Sequence, residues 1–98
     1  MIENTITIGS NNVFQDLGFS PQEAENLRLR SQLMSKVTDL IESRHWTIEE
    51  STHYIGEPIE VIEALHRGKI GQFSVEGLIS MLTHAGMSIH VEVLPTAA

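Results

Sequence analysis

The sequence predicts a mainly α-helical single domain of four helices, with an extended N-terminal arm and a C-terminal β-strand. Three observations carry this. Ser20-Pro21-Gln22-Glu23 and Thr47-Ile48-Glu49-Glu50 each place a capping hydroxyl three positions before a glutamate, the signature of a helix start. Gly56, Gly68 and Gly86 each follow a segment of helical apolar period. Ile89, Val91 and Val93 alternate with polar residues ahead of Pro95, which is the period of a strand.

Residues 1–19 read as an arm: Ile6 and Ile8 alternate, and Val13, Phe14, Leu17 and Phe19 follow as scattered apolar anchors before a turn. Such an arm is ordered by packing on the rest of the chain. Ser20 caps the first helix, and Pro21 suits its first turn. The helix is expected to reach about Ser43, with Leu27, Leu29, Leu33, Met34, Val37, Leu40 and Ile41 on one broad arc and Arg28, Ser35, Asp39 and Glu42 opposite. That arc is read as core, with width enough for part of it to serve as a dimer surface. Trp46 then stands just before the next cap, placed to anchor the first helix against the second.

The second helix opens at Thr47 and stops at Gly56; the third opens at Pro58, runs to about Arg67 and stops at Gly68. Placing Pro58, Ile62 and Leu65 inward directs Glu60, Glu63, Ala64 and Arg67 to solvent. Ser74 caps a fourth helix through about Ala85, with Val75, Leu78, Ile79 and Leu82 as its apolar face and Met34, Met81 and Met87 as core or interface filler. Residues 20–87 thus form the helical domain, and residues 88–94 the strand. A half-buried strand needs a partner, either the Ile6 to Ile8 arm or the same strand of a second subunit.

Ninety-eight residues bury a modest core, which makes an oligomer a reasonable expectation. The absence of Cys excludes disulfides and thiolate zinc sites and fits a reducing compartment. The first residues lack the basic and apolar runs of a signal peptide, and no apolar stretch is long enough to span a bilayer, so the expected location is the cytoplasm. His45, His53, His66, His84 and His90 lack metal-ligand spacing. No nucleophile–base pair or phosphate-binding glycine loop stands out, and the reading is a binding protein without cofactor or metal, not an enzyme. Thirteen acidic against six basic residues give a formal charge of −7, the wrong sign for general affinity to nucleic acid.

Two short helices joined by a glycine turn and preceded by a longer helix outline a helix-turn-helix. The segment from Trp46 to Gly56, the Arg67-Gly68-Lys69 turn, Phe73-Ser74 before the fourth helix and the closing Ile89-Val91-Val93 strand sharpen that outline. With the Val13-Phe14-Gln15-Asp16-Leu17-Gly18-Phe19 entry, they make residues 13 to 94 resemble the Cro/repressor-like (XRE) helix-turn-helix family, particularly its small HigA-type antitoxin-like regulators. The resemblance implies a lambda-repressor-like fold and a dimeric transcription regulator whose third helix enters the major groove of a two-fold symmetric operator. It also implies an antitoxin that pairs with a RelE-like toxin and represses its own operon.

Carried onto this chain, the resemblance gives phosphate contacts to Arg44, Thr47, Arg67 and Lys69, and turns Ile59, Glu60, Glu63 and Ala64 of the third helix to the bases. Relatives tend to carry Ser, Gln and Arg on that face, and Gln after the capping Thr where this chain has Ile48. A glutamate reads cytosine N4 but not guanine. Between residues 44 and 69, Glu49, Glu50, Glu57, Glu60 and Glu63 outnumber Arg44, Arg67 and Lys69. Two readings of Glu63 and Arg67 stay open: members of the interface, or an i,i+4 pair on a solvated face. The acidic balance equally supports an interaction module of the same fold that binds a basic toxin or other protein and has little DNA affinity.

Overall fold

The structure is a computed structural model that describes residues 5–8 and 13–95. Its elements follow in the order β1 (Thr5–Ile8), α1 (Val13–Asp16), α2 (Pro21–Ser43), α3 (Ile48–Ile55), α4 (Ile59–His66), a 3-10 turn at Ile70–Gln72, α5 (Val75–His84) and β2 (His90–Val93). The four expected helices are α2 to α5. Residues 1–19 are not extended throughout, because Val13–Asp16 closes one helical turn that packs on α2 and sets Phe14 edge-on to Phe19 at 6.4 Å. The side chains of Ile6 and Ile8 lie outside the described residues.

α2 is the beam on which the rest is built. Ser20 Oγ accepts from the Glu23 amide at 3.2 Å, but the Glu23 carboxylate accepts from the Ser20 hydroxyl, not from its backbone N–H, so only half of the expected capping box forms. Leu33, Val37, Leu40 and Ile41 are at most 4% exposed, which assigns that stripe to the core. They meet Ile55 of α3, Ile62 and Leu65 of α4 and Leu78, Met81 and Leu82 of α5 in one cluster. α5, α4, the 3-10 turn, α1 and β1 all contact α2, which leaves Asn26, Ser31, Ser35, Asp39 and Glu42 exposed. Arg28, expected on the outer face, is buried and forms an ion pair with Glu25 at 3.1 Å.

Four helix ends share one solution: after α1 the Gly18 amide donates to the Gln15 carbonyl and the Phe19 amide to the Phe14 carbonyl. After α2 the His45 amide donates to the Glu42 carbonyl and the Trp46 amide to the Ile41 carbonyl; after α4, Gly68 donates to Leu65 and Lys69 to Ala64; after α5, Gly86 donates to Thr83 and Met87 to Leu82. This is the Schellman arrangement, and its pivot must be left-handed. Gly68 takes φ +68° without cost, whereas His45 is held at φ +55° although it carries a Cβ. Trp46, the next residue, packs against the core and stacks on Tyr54 of α3 with ring centroids 4.6 Å apart, which holds the strained turn and ties α2 to α3.

Three expectations about faces are corrected. Pro58 is exposed and Ala64 is 7% exposed within the core, so the buried arc of α4 is centred on Val61, Ile62 and Leu65, one step around from where an inward Pro58 would put it. In α5 Met81 is buried, as expected of a core filler, but Ile79, expected on the apolar face, is 38% exposed. β2 is not half-buried, since Val91 is 53% and Val93 77% exposed. It pairs with β1 in parallel, Thr5 beside His90 through Ile8 beside Val93, so the arm of the same chain supplies its partner. Among the described residues no helix is long and apolar enough to cross a membrane.

The strained pivot generates a stability prediction. Replacing His45 by Gly removes a left-handed Cβ penalty of about 1–2 kcal/mol, offset by the greater entropy of Gly in the unfolded chain. A net gain of about 0.5–1 kcal/mol is expected, read as a Tm rise of roughly 3–6 °C in a domain of this size. An unchanged or lower Tm would show that the His45 side chain holds the turn by contacts of its own.

Candidate nucleic-acid interface

The two motif helices are each eight residues long, too short to persist alone, so their orientation is set by what they bury. α3 begins with a complete capping box: Thr47 Oγ1 accepts from the Glu50 amide at 3.1 Å, and the Thr47 amide donates to Glu50 Oε1 at 2.9 Å. Ser51, fully buried, donates its hydroxyl to the Thr47 carbonyl at 2.8 Å and so has a partner inside the protein. Gly56 ends α3 at φ +78° and turns the chain toward α4. The His84 ring of α5 lies against this turn, 3.0 Å from where a Cβ on Gly56 would stand, and its Nδ1 is 2.9 Å from the Tyr54 carbonyl oxygen. The turn is therefore held by its own left-handed glycine and by α5.

α4 buries Ile62, Ala64 and Leu65 and leaves Ile59, Glu60, Glu63 and His66 outward, with Arg67 following. Glu60, Glu63, Ala64, Arg67, Lys69 and Gln72 line one shallow groove of about 350 Å³. Five of these were expected at the interface from sequence; Gln72 was not. It stands on the 3-10 turn that Arg30 fixes, with Nη1 3.2 Å from both the Ile70 and the Phe73 carbonyl oxygens. No periodic signal marks so short a turn, although the interrupted run Lys69-Ile70-Gly71-Gln72 between two helices points to a loop that carries polar side chains outward.

Ala64 is corrected as a base-facing residue, because it forms part of the groove floor while its side chain belongs to the core. Ile59, 44% exposed, stands outside the groove residues at the start of α4. Arg44 and Thr47 lie at the corner between α2 and α3, both exposed and separate from the groove. Thr47 can offer phosphate only its hydroxyl proton, since its amide is already bonded to the Glu50 carboxylate, which stands as a negative charge at the helix N-terminus. The i,i+4 pair between Glu63 and Arg67 does not form: among the described residues the ion pair within 4.0 Å is Arg28 with Glu25. Arg67 and Glu63 thus both present their charges to the groove.

Arranged in this way, the surface combines two cations and a carboxamide, able to hold phosphate oxygens, with two carboxylates that accept from amino groups. Compared with known proteins, residues 13–94 match a family described as helix-turn-helix domain. No curated protein and no solved structure matches the chain. The family match spans the arm's helical turn, both motif helices, the groove and β2, and the chain belongs to the helix-turn-helix domain family.

Proposed function

We propose that the protein is a cytoplasmic transcription regulator of the XRE type that binds a two-fold symmetric operator as a homodimer, with α4 in the major groove. The observation that supports this best is the groove where Arg67, Lys69 and Gln72 flank the outward Glu60 and Glu63 of α4. In this reading Arg67, Lys69 and Arg44 hold phosphates, the Thr47 hydroxyl adds a donor, and Glu60 and Glu63 accept from cytosine amino groups. The family resemblance extends the proposal to an antitoxin that represses its own operon. No catalytic step is assigned to the chain.

A second reading is favoured by a different observation. Ile48 and Ile59 are each 44% exposed at the starts of the motif helices, beside Glu49, Glu50 and Glu60. An acidic surface with exposed apolar residues fits a cationic amphipathic protein, such as a basic RelE-like toxin, better than it fits a polyanion.

Titration of the chain with its own upstream DNA separates the two. Arg44, Arg67 and Lys69 from two subunits give at most about six phosphate contacts, so log affinity is expected to fall against log salt with a slope of no more than about −5. Changing Arg67 or Lys69 to Ala is expected to weaken binding to every sequence and to reduce that slope, by about 1 for each phosphate no longer neutralised. Affinity at the non-specific level, indifferent to both changes, sinks the DNA reading.

The Glu50 carboxylate supplies a further test. Glu50→Gln keeps an acceptor for the Thr47 amide while removing the charge, so the fold should lose no more than the charge's share at the helix N-terminus, about 0.3–1 kcal/mol. Relief of an exposed repulsion of about 0.2–1 kcal/mol in each of the two subunits should tighten operator binding about two- to thirtyfold at low salt, with the difference shrinking as salt rises. Binding to a basic protein partner should weaken instead, so the sign of the change identifies the partner.

A further inference from the structure

The sheet of this protein is two parallel strands in the order β1-β2, so one edge of β2 pairs with no strand among the described residues. Two strands are a marginal sheet, and an open edge is a template for another chain. All four residues of β2 are exposed. We propose that a second copy of this chain pairs with that edge, antiparallel across a two-fold axis at Val91, to give a continuous four-stranded sheet. This deepens the homodimer of the operator reading by naming its contact and register.

The side chains select both the occupant and the register. With the axis at Val91, that residue faces its own copy, His90 stands opposite Glu92 of the second copy, and Ile89 stands opposite its Val93. From Ile89 to Val93 each pair is then apolar with apolar, or imidazole with carboxylate, and the reciprocal pairs are the same by symmetry. An axis at Glu92 instead sets two carboxylates against each other and His90 against Leu94. An axis midway between Val91 and Glu92 sets Val91 against Glu92 and Val93 against His90. A slip of one residue moves every side chain to the other face, so these registers are not interchangeable. Self-complementarity about one residue is what a second copy requires, and an unrelated strand would have no reason to match it. Pro95, without an amide hydrogen, then stops the pairing on the far side of Leu94.

The chain has no cysteine, so single thiols report the register directly. Val91→Cys in the full chain is expected to give a disulfide-linked dimer on mild oxidation. Val93→Cys is expected to stay largely unlinked, because its two copies would lie four positions apart along the paired strands, beyond the roughly 7 Å that a disulfide spans. Sedimentation supplies a second measurement: His90→Glu should weaken the dimer at least tenfold, and His90→Glu with Glu92→Lys in the same chain should restore it. Circular dichroism of each variant checks that the helices are intact. Equal linkage of the two cysteine variants, or a double variant no tighter than His90→Glu, overturns the proposal. Operator binding by the unaltered chain alongside that result would leave the DNA reading standing, whereas a linked Val91→Cys dimer of a chain without operator affinity would reverse the outcome.

Discussion

Burial of Ile62, Ala64 and Leu65 is the constraint on which the candidate interface depends. α4 is two turns long and cannot choose its own orientation; it lies where those three side chains meet α2 and the rest of the core. Once that face is taken, the outward residues follow from helical geometry alone: Ile59, Glu60, Glu63, His66 and then Arg67. The acidic character of the presented face is therefore not a matter of how the helix happens to sit. No small rotation could exchange Glu60 or Glu63 for a buried neighbour without exposing Ile62, at a cost of about 2 kcal/mol or more in apolar burial.

That core also explains which parts of the fold are legible in the sequence. Starts of helices are legible because a cap is local chemistry: Ser20, Thr47 and Ser74 each accept from an amide three residues on, as their positions imply. Ends are legible where glycine marks them and illegible at His45, where the neighbouring Trp46 and its stack on Tyr54 hold a left-handed residue that propensity would not choose. Faces are legible to within one residue and no better. Treating Pro58 as inward rotates the expected core of α4 away from Val61 and sends Ala64 outward; in α5 Met81 is core, as expected, while Ile79, expected on the apolar face, is 38% exposed. A small residue such as Ala64 signals its side weakly, so only the neighbouring elements decide it.

In the candidate site, residue types are legible and their relations are not. Arg67 and Lys69 beside Glu60 and Glu63 follow from chain order, but whether Glu63 neutralises Arg67 depends on side-chain geometry, and the two remain apart. Gln72 joins them only because Arg30, far away in sequence, grips the carbonyls on both sides of the turn that carries it. The second capping box shows how one residue can serve two opposed ends. Glu50 satisfies the Thr47 amide and so starts α3, a contribution of about 1 kcal/mol, while its charge occupies the helix N-terminus that otherwise favours phosphate. Stability of the motif and affinity for a polyanion draw on the same atoms with opposite sign.

The parallel pairing of β1 with β2 adds a constraint of sequence order. Parallel neighbours cannot be joined by a tight turn; they need a crossover, and here the helical domain itself is that crossover. Thr5 stands beside His90 in the packed domain, where α2 and α5 contact each other and β1 contacts α2. The closure entropy of so long a loop must be offset by the helix packing it encloses. The sheet that carries the free edge of β2 is therefore complete only in the packed domain, and a contact made there senses whether the helical domain has folded. A dimer built on that edge would present paired recognition helices only from completed subunits, because the strand that joins them exists only when α4 is already seated on the core.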